Sequence, residues 1–303
     1  GITLGLLKKT HTHAIEYTGI PNDVRGLMMF SALITTSISI YGGHMMLGDL
    51  LHLPFRLWDD GIFVVFACMF ILFGIYFGFK FSRMELFRPA DEPVIFDRKH
   101  RKVYRIFHEV HPGIQGAFKP WPIRAAEYEW DLIDVEHNAK MVTNGSTTSR
   151  YHNLIFIVRR SADDPTIIDS FNIGNGMVLG EATVPAVWEH IRRFMEADGP
   201  HVPPGETLND APAPRSLWEN LSAIGPFGPN YRLWWKELTG LMMIVHVMFP
   251  FFVPMYAGMG ICSWLSNLTS IAIRWPQEVI DAVGPDSALP GKRNTLAPKH
   301  PIK

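Results

Sequence analysis

Charged residues fall along this chain so as to leave three long gaps. The first runs from Gly26 to Gly48 (GLMMFSALITTSISIYGGHMMLG), 23 residues with no formal charge. The second, Gly61 to Phe79 (GIFVVFACMFILFGIYFGF), is 19 residues of nearly pure apolar character. A helix rises ~1.5 Å per residue, so each run covers the ~30 Å hydrocarbon layer of a bilayer. Together they predict a transmembrane helical hairpin over residues 26–80. The first run is polar for a span, with Ser31, Thr35, Thr36, Ser37, Ser39 and His44. Such side chains face another helix rather than lipid, and the GxxxG pair Gly74 and Gly78 permits close approach. Ser31, Thr35, Ser39, His44, Gly74 and Gly78 are therefore contact candidates, either for a foreign helix or between the two spans themselves.

The third gap lies between Glu237 and Arg274, 36 residues without charge. As one straight helix it would measure ~54 Å, too long for a single span, and two full spans would leave almost no turn. Pro250 and Pro254 interrupt its middle. Two forms of residues 238–275 stay open: a kinked span followed by an interfacial helix, or a shallow re-entrant hairpin. Trp234, Trp235, Trp264 and Trp275 suit an aromatic belt at a membrane surface.

Between the second and third gaps the apolar period shortens to two. Pro93–Phe107 (PVIFDRKHRKVYRIF) predicts a β-hairpin around a charged turn at Asp97–His100, and Glu127–Val135, Tyr151–Arg160 and Thr166–Ile173 predict further strands. A helix follows, with Thr183 as N-cap and Pro185 in its first turn. Val184, Val187, Trp188, Ile191 and Phe194 form its apolar stripe, and Gly199 and Pro200 end it. Strands closed by one helix predict a small β-sandwich or barrel over 81–199, in the order of a pleckstrin-homology-like domain. The whole chain reads as an α+β membrane protein. Residues 1–25 read as an N-terminal tail, 200–237 as a proline-rich linker and 276–303 as a C-terminal tail.

Charge adds orientation. Lys8, Lys9 and Arg25 precede the first gap and Lys80, Arg83 and Arg88 follow the second, whereas the loop Asp49–Asp60 holds three Asp and one Arg. Basic flanks stay on the cytoplasmic side, which predicts a cytoplasmic soluble domain. Arg274, Lys292, Arg293, Lys299 and Lys303 lean the C-terminus the same way. A formal net charge of -1 argues against nucleic acid as partner.

Chemistry is sparse. The two cysteines, Cys68 and Cys262, lie in apolar runs and read as buried free thiols. His108 and His111 have HxxH spacing without the carboxylate of a zinc motif, and His44 and His246 sit near predicted membrane surfaces. There is no nucleophile elbow, phosphate-binding loop or dinucleotide fingerprint, so no enzyme, metal site or cofactor is expected. Arg98, Lys99, Arg101 and Lys102, soon after the second span, are candidates for anionic lipid headgroups or a solvated hairpin tip. Glu127, Glu129, Asp131, Asp134 and Glu136 alternate on one predicted strand, either to meet a basic partner or to blunt a sheet edge.

Several short stretches carry a resemblance. They are Arg83-Met84-Glu85-Leu86-Phe87-Arg88-Pro89, Asp91, Pro93–Lys99 and Arg101-Lys102-Val103-Tyr104, then Trp121-Pro122, Tyr128-Glu129-Trp130 and Arg274-Trp275-Pro276. The chain resembles, from its first span to about Val283, a bacterial membrane-protein family of unknown function often encoded among type VI secretion genes. That resemblance brings no catalytic residues. It implies a multi-pass protein of the bacterial inner membrane working with a secreted antibacterial toxin, as an immunity or accessory protein. Its partners would be membrane lipids, a type VI effector toxin and, through its packing faces, a second copy of itself. The other reading is a membrane-anchored scaffold whose cytoplasmic domain binds headgroups or an assembly partner.

Overall fold

The computed structural model describes residues 2–286 except 20–24, 52–59, 112, 114, 120, 144–147, 175–178, 210–215, 225–230. Most of the Asp49–Asp60 loop, stretches of the proline-rich linker and the basic tail after Asp286 lie outside the described residues.

The two apolar runs form α1 (Leu27–Leu51) and α2 (Asp60–Glu85), packed side by side. Small and polar residues set the contact. Ser39 is buried, and a Cβ added at Gly74 would overlap it, while one at Gly78 would overlap Thr36. The Thr36 hydroxyl donates to the Gly74 carbonyl at 3.0 Å. The third run is one continuous helix, α7 (Thr239–Leu268), with Pro250 and Pro254 inside it. The re-entrant hairpin is therefore not formed. Proline breaks a helix mainly by leaving a carbonyl unpaired and crowding it, a cost that context can absorb over single turns. Among the described helices two are long and apolar enough to cross a membrane: α2 from Gly61, with mean hydropathy 2.6, and α7, at 1.7. The serines, threonines and His44 of α1 keep it off that list.

The alternating segments build two antiparallel sheets. One is a five-stranded meander in chain order, β1 (Leu7–Thr10), β2 (Ala14–Tyr17), β3 (Val94–Asp97), β4 (Lys102–His108) and β5 (Ile123–Glu129). The other is β6 (Ile133–Thr143), β7 (Thr148–Arg159) and β8 (Ile167–Ile173). The predicted amphipathic helix is α4 (Thr183–Glu196), and its Val184, Val187, Ile191 and Phe194 are fully buried against both sheets. Thr183 is its first helical residue rather than its cap, its hydroxyl bonded back to Gly180. A four-residue helix, α3 (Gln115–Phe118), sits in the β4–β5 connection.

Two features differ from the sequence expectation. Residues 1–25 are no loose tail: β1 and β2 join the first sheet, Ile15 pairing with Phe96 of β3. The expected strand Glu127–Val135 is a corner, since β5 ends at Glu129, a 3₁₀ turn occupies Trp130–Leu132, and β6 starts at Ile133. Trp130 causes the bend. It turns into the core against Phe96 and Trp188, with ring centroids at 6.1 and 5.8 Å. Glu127 and Glu129 thus end β5, Asp131 lies in the turn, and Asp134 and Glu136 begin β6, instead of lining one face.

The linker region contributes α5 (Leu217–Ile224) and α6 (Tyr231–Glu237), both packed on α7, and the chain ends its described part with α8 (Gln277–Val283). Val279 and Val283 of α8 pack on Ile95 and Tyr104 of the first sheet.

Candidate functional site

Three helix ends and the first sheet meet at one place, and the residue between them is Arg25. Its guanidinium donates four hydrogen bonds: to the Ser266 hydroxyl at 2.8 Å, and to the carbonyls of Ser266, Arg88 and Pro89 at 3.1, 3.1 and 3.2 Å. It thereby ties the start of α1 to the end of α7 and to the chain leaving α2. Burial, with Arg88 nearby, lowers its pKa to about 10, still well above neutral, so it stays charged. Gly26 follows with φ +93°, and any side chain there would run into the Cys262–Ser263 backbone. Only glycine satisfies both the left-handed turn and that approach.

Glu85, the last residue of α2, is 94% buried and accepts the Met28 amide at 2.9 Å. It caps the first turn of α1 from another helix, meeting the orphan donors and positive end of the helix dipole. The Ser266 hydroxyl also donates to the Glu85 carbonyl at 3.2 Å. Below the helices Asp91 collects the Thr18 hydroxyl at 2.7 Å, the Gly19 and Glu92 amides at 3.2 and 2.7 Å, and the Lys8 ammonium at 3.1 Å. His108 is bonded to Glu92 and stacked on Trp121 at 5.4 Å. A cleft of about 200 Å³ opens here, walled by Met28, Met84 and Val110 as well as Arg25, Arg88 and His108. Each charged group named has a protein partner, so the arrangement is a clamp. Among the described residues no cluster of three or more His, Cys, Asp or Glu could hold a metal ion.

The sequence candidates separate into distinct places. Ser39, Gly74 and Gly78 meet between α1 and α2, with Thr35 half-buried. Ser31 and His44 lie exposed on the outer face of α1. The basic turn lies against α4, with Arg98 over the Phe194 ring at 4.9 Å, and away from α1, α2 and α7. Lys102 and His108 are at opposite ends of β4, ~20 Å apart at ~3.4 Å per residue, and His108 is the end at the clamp. The turn is also partnered. Arg98 bonds Asp198 at 2.7 Å, Arg101 pairs with Asp131, and Lys102 pairs with Glu127 and Glu129; Lys99 is exposed. Buried Asp97 shapes it, accepting the Lys99 and His100 amides at 3.0 and 3.3 Å. Asp134 pairs with Arg159 at 2.8 Å, so four of the acidic residues serve intramolecular ion pairs. His108 Nδ1 is taken by Glu92, and His246 donates to the Met242 carbonyl at 2.7 Å beside Trp235. Cys68 is exposed on α2 rather than buried, and Cys262 is buried.

In the sequence Arg25 is only a topology signal, Glu85 and Asp91 enter only through the family resemblance, and Ser266 is not singled out. Arg25 stands at the edge of the first apolar run, where a charge must find a partner.

No curated protein and no solved structure matches the chain at a significant level. A family model described as Family of unknown function (DUF6708) matches residues 70–283. The match begins inside α2 rather than at the first helix, and it ends at Val283 of α8. It covers the greater part of the chain, both sheets from β3 onward, α7 and most of the clamp, and the chain therefore belongs to this family of unknown function.

Proposed function

We propose that this is a non-enzymatic, multi-pass protein of the bacterial inner membrane whose helices bind a partner inside the bilayer, acting as an immunity or accessory protein for a membrane-targeting toxin of type VI secretion. The observation that carries the reading is on α1. Ser37, Tyr41 and His44 follow one another at helical spacing on its exposed face, Tyr41 67% exposed. α1 runs beside α2 along their shared Ser39–Gly74 and Thr36–Gly78 contacts, so it enters whatever layer α2 crosses. In hydrocarbon an uncovered hydroxyl or imidazole seeks a partner on another helix. The secretion context and the inner-membrane, cytoplasm-facing placement rest on the family resemblance and on the basic flanks of the apolar runs.

Deletion of the gene in a secreting strain, followed by challenge with sister cells, tests the reading. Survival should fall, and the wild-type gene should restore it. A Ser37→Leu/Tyr41→Leu/His44→Leu variant should reach the membrane in normal amount yet fail to restore survival. Unchanged survival of the deletion strain would remove the immunity role.

One observation favours a scaffold as second reading. Strands β3–β8 followed by α4 keep the strands-then-helix order of a pleckstrin-homology-like module. Because the basic turn is ion-paired and lies at the end of β4 away from the clamp, a protein partner fits that module better than a headgroup. Flotation of the full chain with a labelled assembly partner would support the scaffold if Lys99→Glu released the partner.

A further inference from the structure

We propose that α3 (Gln115–Phe118), with Val110 and Trp121 on either side in the β4–β5 connection, is an interfacial anchor that seats in the headgroup boundary of the bilayer crossed by α2; the inference rests on α2 being a span. Phe118, in α3, is 71% exposed and its ring lies 6.4 Å from the ring of Phe79. Phe79 is itself 60% exposed and is the last residue of the uncharged run, just before Lys80 and Arg83. The hydrocarbon edge therefore falls near Phe79, and Phe118 reaches that same depth from the soluble side. In water this would be two large exposed aromatic rings side by side; at a bilayer edge both are covered by acyl chains.

The loop is built for the position. The Trp121 indole donates to the Gly116 carbonyl at 2.9 Å, closing the connection on itself. The opposite face of the loop is fixed by the His108–Trp121 stack, and the Arg83 guanidinium lies over the Trp121 ring at 5.9 Å. Exposed Val110 and Phe87 continue the apolar surface, and Arg124 at its border pairs with Glu109 at 2.5 Å. Aromatic side chains gathered at the hydrocarbon edge are the signature of a segment lying in the interface plane. The occupant of this surface is lipid, because the patch is continuous with the apolar flank of α2. Clamp and loop would then hold the sheets at one tilt to the membrane.

The test uses the full chain in liposomes with Cys68→Ala and Cys262→Ala, and a nitroxide at Phe118→Cys, Phe70→Cys or Ile168→Cys. Phe70 lies mid-way along α2, and Ile168 is 52% exposed on β8 of the second sheet. Collision rates with oxygen and a water-soluble nickel chelate give depth. The Phe118 label should favour oxygen, ~5–10 Å into the boundary region, while the Ile168 label favours the chelate. A Phe118 label that reads like Ile168 while Phe70 reads lipid overturns the anchor and leaves the span standing. Chelate access at Phe70 as well overturns both. Val110→Cys repeats the measurement should the Phe118 variant fold poorly.

Discussion

Replacing Gly74 or Gly78 by alanine perturbs the α1–α2 contact in a way that can be worked through. The new methyl at Gly74 would fall on Ser39, and that at Gly78 on Thr36, each closer than 3.0 Å, where ordinary contact begins at 3.4 Å. The facing atoms are short side chains fixed to a helix, so the helices themselves must part by more than ~0.4 Å. A gap of 0.5–1 Å forfeits a quarter to a half of the dispersion energy across a contact. Overpacking of this kind costs ~1–3 kcal/mol, and the Thr36–Gly74 hydrogen bond stretches with it. Alanine also favours the helix by ~1 kcal/mol over glycine, which masks part of the loss. Gly48→Ala and Gly240→Ala carry the same propensity gain with nothing within 4 Å of the new methyl. The difference between the two pairs isolates the clash. Reversible unfolding of the full chain in mixed detergent should place Gly74→Ala and Gly78→Ala ~1–3 kcal/mol below the controls. Equal stability in all four variants would refute the helix pairing described above, and with it the argument that α1 follows α2 into the bilayer.

Other outcomes follow from the clamp, the core and the topology. Arg25→Lys keeps the charge but cannot reach four acceptors on two segments; it should lower the unfolding midpoint in detergent, losing ~1.5–3 kcal/mol for each charged hydrogen bond not remade. The Tyr17 hydroxyl meets His190 Nδ1 at 2.6 Å, while His190 Nε2 donates to the Pro200 carbonyl at 3.1 Å, a pair of bonds that a neutral ring satisfies with Tyr17 donating. Burial lowers the His190 pKa; the unfolded chain, titrating near ~6.5, therefore takes up a proton first. Stability should be complete above that pH and fall as pH drops toward the folded value, with a shallower fall in His190→Gln. The burial that lowers His201 acts in the same sense, so some slope remains in that variant. Arg101→Ala and Lys102→Ala, away from α1, α2 and α7, should leave liposome association of the full chain unchanged. A maleimide should reach Lys236→Cys and Lys99→Cys from opposite faces of sealed vesicles.

What the sequence made legible follows from how each signal is stored. An apolar run long enough for a bilayer is written in consecutive residues, so α2 and the extent of α7 could be read directly. The stripe of α4 is written at helical spacing, and four of its five predicted residues, Val184, Val187, Ile191 and Phe194, are buried, with Trp188 partly so and His190 and Met195 joining the buried face. β1 and β2 were hidden because they are four residues each and bury charge. Glu16, only 4% exposed, is reached by Lys8 at 3.8 Å and sits near His11, so LKKT and AIEY show no apolar alternation. The corner at Trp130 was hidden because the residues on both sides do alternate, and only a tertiary pocket decides that the chain turns there. The clamp was least legible. It joins residues 25, 85–91 and 266, whose proximity exists only after three helices are packed, and local periodicity carries no trace of it.

The clamp also constrains how the chain threads the bilayer. α1 leaves the clamp and α2 returns to it, so β1, β2 and the strands from β3 onward share one face. α7 ends at the clamp too, with Ser266 on Arg25, and α8 goes straight back onto the first sheet. If α7 crosses the membrane, its beginning at Thr239 is on the opposite face, yet α4 is on the face of the sheets. Crossings must then be even in number, so the chain between α4 and α7 has to reach the opposite face. The contacts of the two short helices agree with such a path. Asn220 of α5 is held by Ser263 and Asn267, near the end of α7, at 2.9 and 2.7 Å. Tyr231 and Trp235 of α6 pack on His246, near its beginning, at 5.7 and 5.0 Å. Between those two levels α7 rises by 17 residues from His246 to Ser263, ~25 Å at 1.5 Å per residue, most of a hydrocarbon layer. The proline-rich stretch that reads as a linker in the sequence thus places two short helices along α7 at levels ~25 Å apart. If α7 crosses the membrane, Arg232, Lys236 and the exposed Trp234 supply the basic and aromatic residues that a far interface requires.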